Sequence, residues 1–289
     1  MAISHIGIQL FSLPKLLEQD PRQAFRMLAD MGYREVELYG PYTFSVQSAK
    51  EAWLALAPRL GFSGSGYFGM AENELKELLG ELQLSVPSMH TDYETLLHEM
   101  PALGTAARAL GAKYVTLPAI PDERRQNLDG YKQVAADFNA IGEAARQEGL
   151  KFAYHNHGYG LTEMEGTIPF QLILDQTDPE LVFLEMDIYW TTAGRADPID
   201  LLRNNPGRYH LMHLKDMKPK THFPGDGGDA GQWMELFPYM ASAGDGELHI
   251  AGIVQEARQS GVKHFFVEQD MVAEPEVALK RSIDYLQKL

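Results

Sequence analysis

Short apolar runs alternate with amphipathic stretches along the whole chain. The runs begin near Ile6, Glu35, Ser85, Tyr114, Lys151, Leu181, Tyr209 and His264, and they predict eight strands. Between them, apolar residues recur at the helical period. After the first strand, Asp20-Pro21-Arg22-Gln23 supplies an N-cap residue, a proline suited to the first helical position and a capping-box glutamine. Phe25, Leu28 and Ala29 follow at i, i+3 and i+4, and Gly32 marks the stop. A longer helix places Tyr131, Val134, Ala135, Phe138, Ile141, Gly142 and Ala145 on one face and ends at Gly149. The last helix starts after Glu274-Pro275 and runs through Val277, Leu279, Ile283 and Leu286. Alternation repeated eight times predicts a parallel sheet wrapped by helices. Eight strands close naturally, so the expected fold is α/β, a single-domain (β/α)₈ barrel over residues 1–289. An open doubly wound sheet is the alternative, but no glycine-rich dinucleotide turn follows the first strand. No composition shift or linker marks a second domain.

Two connections interrupt this rhythm. Residues Pro41 to Met70 follow the second strand, and Met217 to Gly246 follow the seventh. Long loops after barrel strands belong to the catalytic face, so both are expected to wall or cover a pocket. Gly225-Asp226-Gly227-Gly228 is expected to be a flexible surface turn, since it lacks the P-loop lysine and the Ser/Thr after it. All three tryptophans, Trp53, Trp190 and Trp233, fall in or beside these post-strand segments.

Composition narrows the function. Of 289 residues, 45% are hydrophobic, enough for one sizeable core, and the net charge is −15. Such a surface repels nucleic acid. There are no cysteines, which removes disulfides, thiolate metal sites and a cysteine nucleophile. No apolar run is long enough to span a membrane, and the first strand begins almost at once, leaving no room for a signal peptide. A cytoplasmic setting is the default expectation, with the periplasm as the alternative for a chain whose signal has been removed.

The ends of six predicted strands are unexpectedly polar. The second ends Glu37-Leu38-Tyr39-Gly40 and the third Ser88-Met89-His90-Thr91-Asp92. The fifth ends His155-Asn156-His157, the sixth Glu185-Met186-Asp187, the seventh His213-Leu214-Lys215-Asp216 and the eighth Glu268-Gln269-Asp270. Side chains alternate along a strand, so His155 and His157 share a direction, as do His213 and Lys215, while Asp216 points the other way and caps the following turn. Imidazoles and carboxylates converging from neighbouring strands suit Mn²⁺, Zn²⁺, Fe²⁺ or Co²⁺. Glu35 and Glu185 are expected to face solvent or helices in structural roles. His5, His98, His210, His249 and His264 lack partner patterns and are expected to be structural too.

These strand ends resemble the xylose-isomerase-like TIM barrel superfamily of sugar isomerases, epimerases and inosose dehydratases. The likeness runs from Ile8-Gln9-Leu10-Phe11-Ser12 to Phe266-Val267-Glu268-Gln269-Asp270, with His-Leu-Lys-Asp at 213–216 and Val267-Glu268 as its more specific parts. The resemblance implies one divalent metal held at the ends of strands five to eight by Glu, Asp, His and Glu. Asp187, His213 and Glu268 match three of these positions. His155 stands where many relatives carry the first glutamate. In the ketose epimerases that glutamate is half of the proton-transfer pair, so the substitution favours dehydratase or lyase branches more than usual. Trp190 stands where some epimerases place a substrate-binding histidine. The resemblance further implies a small polyhydroxylated substrate, Mn²⁺ as first choice with Mg²⁺ also admissible, and a homo-oligomer as a possible assembly.

The expected chemistry is proton abstraction next to a carbonyl, with Glu268 as base and His155 or His157 as second proton carrier. Glu37, His90 and Lys215 are expected to hold substrate hydroxyls or an anionic group. Tyr39, Phe68 and Trp190 are expected to form apolar walls. Two rivals remain: a metal-dependent dehydratase or lyase of an inosose or keto-sugar, and a non-catalytic carbohydrate-binding barrel.

Overall fold

A computed structural model describes residues 3 and 5–289 of the chain. Among the described residues ten strands follow in order: β1 (Ile6–Gln9), β2 (Glu35–Tyr39), β3 (Ser88–His90), β4 (Tyr114–Leu117), β5 (Lys151–His155), β6 (Val182–Asp187), β7 (Tyr209–Leu214), β8 (Asp216–Met217), β9 (Met240–Ala241) and β10 (His264–Val267). Eight of them close into a barrel in the order β1-β10-β7-β6-β5-β4-β3-β2, and the pairs are parallel. The short β8 and β9 form a separate antiparallel ribbon inside the second long connection.

Local chemistry sets the boundaries. Asp20 accepts the Gln23 N–H at 2.9 Å and starts the helix Pro21–Met31, which ends at Gly32 with φ of +109°. The helix Leu128–Gln147 buries the predicted face from Tyr131 to Ala145 against the sheet. The third strand pairs later than its apolar run begins, because Pro87 has no N–H to give the ladder. Ser85 makes only an isolated bridge to Glu35.

Both long connections contain structure that was not expected. The helix Gln47–Leu60 occupies much of the first, and the helix Ala230–Leu236 lies in the second. The glycine-rich turn is only partly the surface feature expected. Gly225 and Asp226 are exposed, but Gly227 and Gly228 are buried, with their carbonyls accepting from Trp233 and Arg125. Val277, placed on the buried face by periodicity, is 46% exposed at the start of the last helix.

The barrel interior is layered. Tyr114, Ala153, Leu211 and Phe266, with Phe183 against them, form an apolar plug. Gly7 sits beside it because a Cβ there would lie 2.4 Å from the Phe266 ring. The polar strand ends lie above this plug, with His213 against Phe266 at 6.0 Å between ring centres.

Candidate active site and metal centre

Glu37 leaves β2, His90 ends β3, His155 ends β5, Glu185 and Asp187 leave β6, His213 leaves β7, and Glu268 follows β10. All seven are buried. Their convergence follows from period-two alternation combined with parallel register, which brings the same rung of each strand to the barrel mouth.

His213 is the hub. Its Nδ1 lies 2.8 Å from Glu268 and its Nε2 lies 2.6 Å from Glu37. The same Nε2 is 3.3 Å from Glu185. His90 Nε2 lies 2.7 Å from Glu185 and 3.1 Å from Glu37. Gln9 donates to Glu37 at 2.8 Å. Lys215, two residues beyond His213, lies 3.0 Å from Asp187, 2.7 Å from Glu268 and 2.6 Å from Asp270.

Burial opposes charge on every one of these groups, and their mutual attraction decides the outcome. Burial would raise the Glu37 carboxyl, yet His90 and His213 hold it well below its ordinary value. Burial likewise opposes ionisation of Glu268, but Lys215 and His213 bring its pKa down to about 2. Asp187 is lowered against burial by Lys215 and His155. Burial would depress His90, but Glu37 and Glu185 raise it to about 9. His213 and Lys215 are raised well above their ordinary values against burial by the surrounding carboxylates. Asp270 moves upward to about 7 through burial and Glu268, against the pull of Lys215. His157 is pushed well down by burial and by His155 and Lys215, so its imidazole is neutral.

Ligand-type atoms gather into two sets that share His213. His155, Asp187, His213 and Glu268 bring such atoms within 4.8 Å of one another, and so do Glu37, His90, Glu185 and His213. The first set fits a divalent cation on three counts. Asp187 spends Oδ1 capping the Trp190 N–H at 2.9 Å, which leaves Oδ2 turned into the cluster, 3.0 Å from Lys215. His155 Nε2 is without a hydrogen-bond partner and lies 3.6 Å from that oxygen. Asp187, Glu268 and Asp270 surround Lys215, while Glu37 and Glu185 flank His90 and His213, a gathering of negative charge that a cation offsets. Two imidazoles with two carboxylates suit a first-row divalent ion. In the second set His213 presents its other nitrogen, so Glu37 and Glu185 act on the back of the ring, as carboxylate partners of ligating histidines do.

A cavity of about 710 Å³ opens above the cluster. Tyr39, His90, His155, His157, Trp190, Lys215 and Glu268 line it, as do all three tryptophans of the chain. Glu37, Asp187 and His213 do not line it, and they are fully buried. Phe68 is not part of the wall. It packs behind Tyr39 at 5.5 Å and against Phe25 at 6.3 Å, in a left-handed turn with φ of +51°. Glu185 corrects a further expectation: it faces neither solvent nor a helix but the interior beside His90 and His213. Alternation carried the signal, since Glu185 and Asp187 are two residues apart on one strand and share a face. Glu35 is structural but not solvent-facing, because it is buried and pairs with His264 at 3.0 Å. Asp216 does cap, accepting the N–H groups of Gly244, Gly246 and Leu248.

Gln9, Arg125, Asn156 and Asp270 were missed. Asn156 accepts the Asp187 N–H at 3.2 Å and donates to Thr191 at 3.0 Å, fixing the end of β6. Asp270 shares the parity of Glu268 one step further along the chain, which was the available sign.

The family model described as xylose isomerase-like TIM barrel matches residues 25–289. The chain belongs to this family. Among curated proteins it is 31% identical over 94 residues to an inosose dehydratase of Clostridium perfringens, a match covering 32% of this chain and 31% of that protein. An inosose dehydratase of Mesomycoplasma hyopneumoniae is 26% identical over 180 residues, covering 55% of this chain and 59% of the relative. The chain thus aligns with between about a third and three fifths of these relatives' lengths. Among solved structures, a sugar phosphate isomerase/epimerase from Parabacteroides distasonis superposes with a TM-score of 0.76 at 24% identity, covering 99% of this chain and 98% of that one. The zinc-bound IOLI protein superposes with a TM-score of 0.66 at 13% identity, covering 98% and 95%. At these identities the structural likeness establishes the fold. No helix among the described residues is long and apolar enough to cross a membrane.

Proposed function

We propose that this xylose isomerase-like barrel is a divalent-metal-dependent isomerase or epimerase of a small polyhydroxylated carbonyl compound. The carrying observation is the meeting of His155, Asp187, His213 and Glu268 within 4.8 Å at the foot of a cavity. Manganese is the first choice and zinc, iron, cobalt or magnesium the alternatives; the zinc in the IOLI protein supports an ion on this fold. An ion held there would polarise a substrate carbonyl as a Lewis acid.

The chain's own residues supply the proton chemistry. Glu268 lines the cavity and is ionised, so it is placed to remove the proton next to the carbonyl. Lys215, 2.7 Å away, keeps that carboxylate charged. His157 is neutral and stacks between Trp190 at 5.6 Å and Trp233 at 4.1 Å. Its Nδ1 has no hydrogen-bond partner, which suits it, with His155, to carry the second proton. His90 sits at the cavity edge, charged and held by Glu37 and Glu185, where it can donate to a substrate oxygen.

A second reading is dehydration of an inosose or keto-sugar, favoured by the inosose dehydratase relatives. The two diverge after the shared first step. Returning the proton gives an isomer or epimer, whereas expelling a β-hydroxyl gives a product lighter by one water. Incubation with keto-sugars and inososes in D₂O, read by mass spectrometry, tests both. One solvent deuterium in an otherwise unchanged mass is the expected result. Loss of water selects the dehydratase, and substrates that never exchange a proton contradict both.

A further inference from the structure

The cavity has two chemically different ends. Its floor is the cluster of His90, His155, Lys215 and Glu268, while its outer wall is apolar and aromatic. Ala52, Trp53 and Leu56 of helix Gln47–Leu60 contribute to that wall, with Trp233, Met234 and Phe237 from the second long connection. Helix Gln47–Leu60 buries only Leu60, while Trp53 and Leu56 are partly buried against the core and also line the cavity.

The polar atoms of these aromatic side chains are already engaged elsewhere. Trp53 Nε1 donates to the Ser63 carbonyl at 2.7 Å and Trp233 Nε1 to the Gly227 carbonyl at 2.6 Å. Tyr39, 5.9 Å from Trp53 between ring centres, donates its hydroxyl to the Gly64 carbonyl at 2.9 Å. With those donors taken by loop carbonyls, the half-buried indoles offer carbon surface to a ligand, not hydrogen bonds to hydroxyls.

Above the cluster at its floor, the cavity also offers a phosphate no lysine or arginine that is not already paired. Among the described residues lining it, Lys215 and Arg125 are the lysines and arginines. Lys215 is enclosed by Asp187, Glu268 and Asp270. Arg125 donates to the Ile120 and Gly228 carbonyls, lies 3.1 Å from Asp122 and covers the Tyr159 ring at 4.1 Å. Asp92, Asp122, Asp229, Glu268 and Asp270 line the same space. A volume of about 710 Å³ suits a drug-sized ligand, not a single sugar ring.

We infer that the substrate is an uncharged keto-glycoside with an aromatic aglycone. The ketone is carried on the sugar ring, because a simple glycoside has no carbonyl; the unoxidised glycosides below serve as unreactive binding probes. Its sugar ring enters the polar floor, and its aglycone lies against Trp53 and Trp233. Which end meets the floor rests on the isomerase-type reading above. The test titrates the metal-reconstituted protein with methyl and phenyl β-glycosides of glucose, galactose, xylose and mannose, and with glucose 6-phosphate beside glucose. Tryptophan fluorescence reports binding, with calorimetry for the variant. At least one phenyl glycoside is expected to bind about tenfold tighter than its methyl partner. Trp53→Ala is expected to bring that ratio toward one, with an unchanged far-ultraviolet spectrum. If no phenyl glycoside outbinds its methyl partner, or if glucose 6-phosphate binds more tightly than glucose, the inference is overturned. Metal content of the same samples separates the two claims. Bound metal without phenyl preference removes the aromatic subsite alone, and phenyl preference without metal removes the metal reading alone.

Discussion

Glu268 sits 2.8 Å from His213 and 2.7 Å from Lys215, held as an anion at the edge of the cavity. Its role is tested by Glu268→Gln, which keeps the shape and removes the base. Turnover is expected to fall by at least about 10²-fold, the scale of positioned acid–base catalysis, with an unchanged circular dichroism spectrum. Unchanged turnover would remove Glu268 from the chemistry. A different residue governs acid stability. His210 lies at the far end of the barrel, stacked on Phe183 at 4.0 Å with its Nδ1 3.1 Å from the Tyr114 hydroxyl. Burial, with Lys263 and Lys151 nearby, depresses its pKa to about 3. In the unfolded chain it titrates near about 6.5, so the unfolded state binds this proton first. Its contribution is therefore complete above that pH and is lost as pH falls toward 3. His210→Gln should flatten the decline of urea-unfolding stability between pH 7 and 4, by up to about 1.4 kcal/mol per pH unit. Parallel declines in both proteins would contradict this.

Elements were legible where their apolar pattern faces the core. The helix Leu128–Gln147 shows it best, since every residue assigned to its inner face is buried. Its Gly142 packs so closely that a Cβ would lie 2.6 Å from the Leu181 carbonyl oxygen. Gly142→Ala gains about 1 kcal/mol of helix propensity but must displace backbone, at a cost of about 1–3 kcal/mol. A lower urea midpoint is expected, and a higher one would show that Leu181 gives way freely. The helix Gln47–Leu60 was hidden because it buries only Leu60, with Trp53 and Leu56 partly buried and Leu54 exposed, so no continuous apolar stripe marks it. The β8–β9 ribbon was hidden because two-residue strands carry no period. At the site, six strand ends stood out in the sequence because charge is unexpected on a buried strand. Glu185 was nevertheless misread, although the alternation that turned Asp187 inward applied to it equally. Phe68 was assigned to the wall from its loop position, whereas its place behind Tyr39 depends on how that loop folds back.

At the scale of the whole molecule, a closed parallel barrel puts an apolar plug below and an acidic, imidazole-rich cluster above, under one large cavity. A cluster so rich in carboxylates with one lysine is costly to bury without further positive charge. Protonated His90 supplies part of it, and a divalent ion between His155, Asp187, His213 and Glu268, with His155 and His213 both neutral, would supply the rest. The measurement that tests this most directly is metal content by plasma mass spectrometry after reconstitution with Mn²⁺, wild type beside His213→Ala. The account predicts one equivalent of a first-row divalent metal in the wild type and its loss in a variant with unchanged circular dichroism. Metal absent from both proteins, or retained in full by the variant, would contradict it.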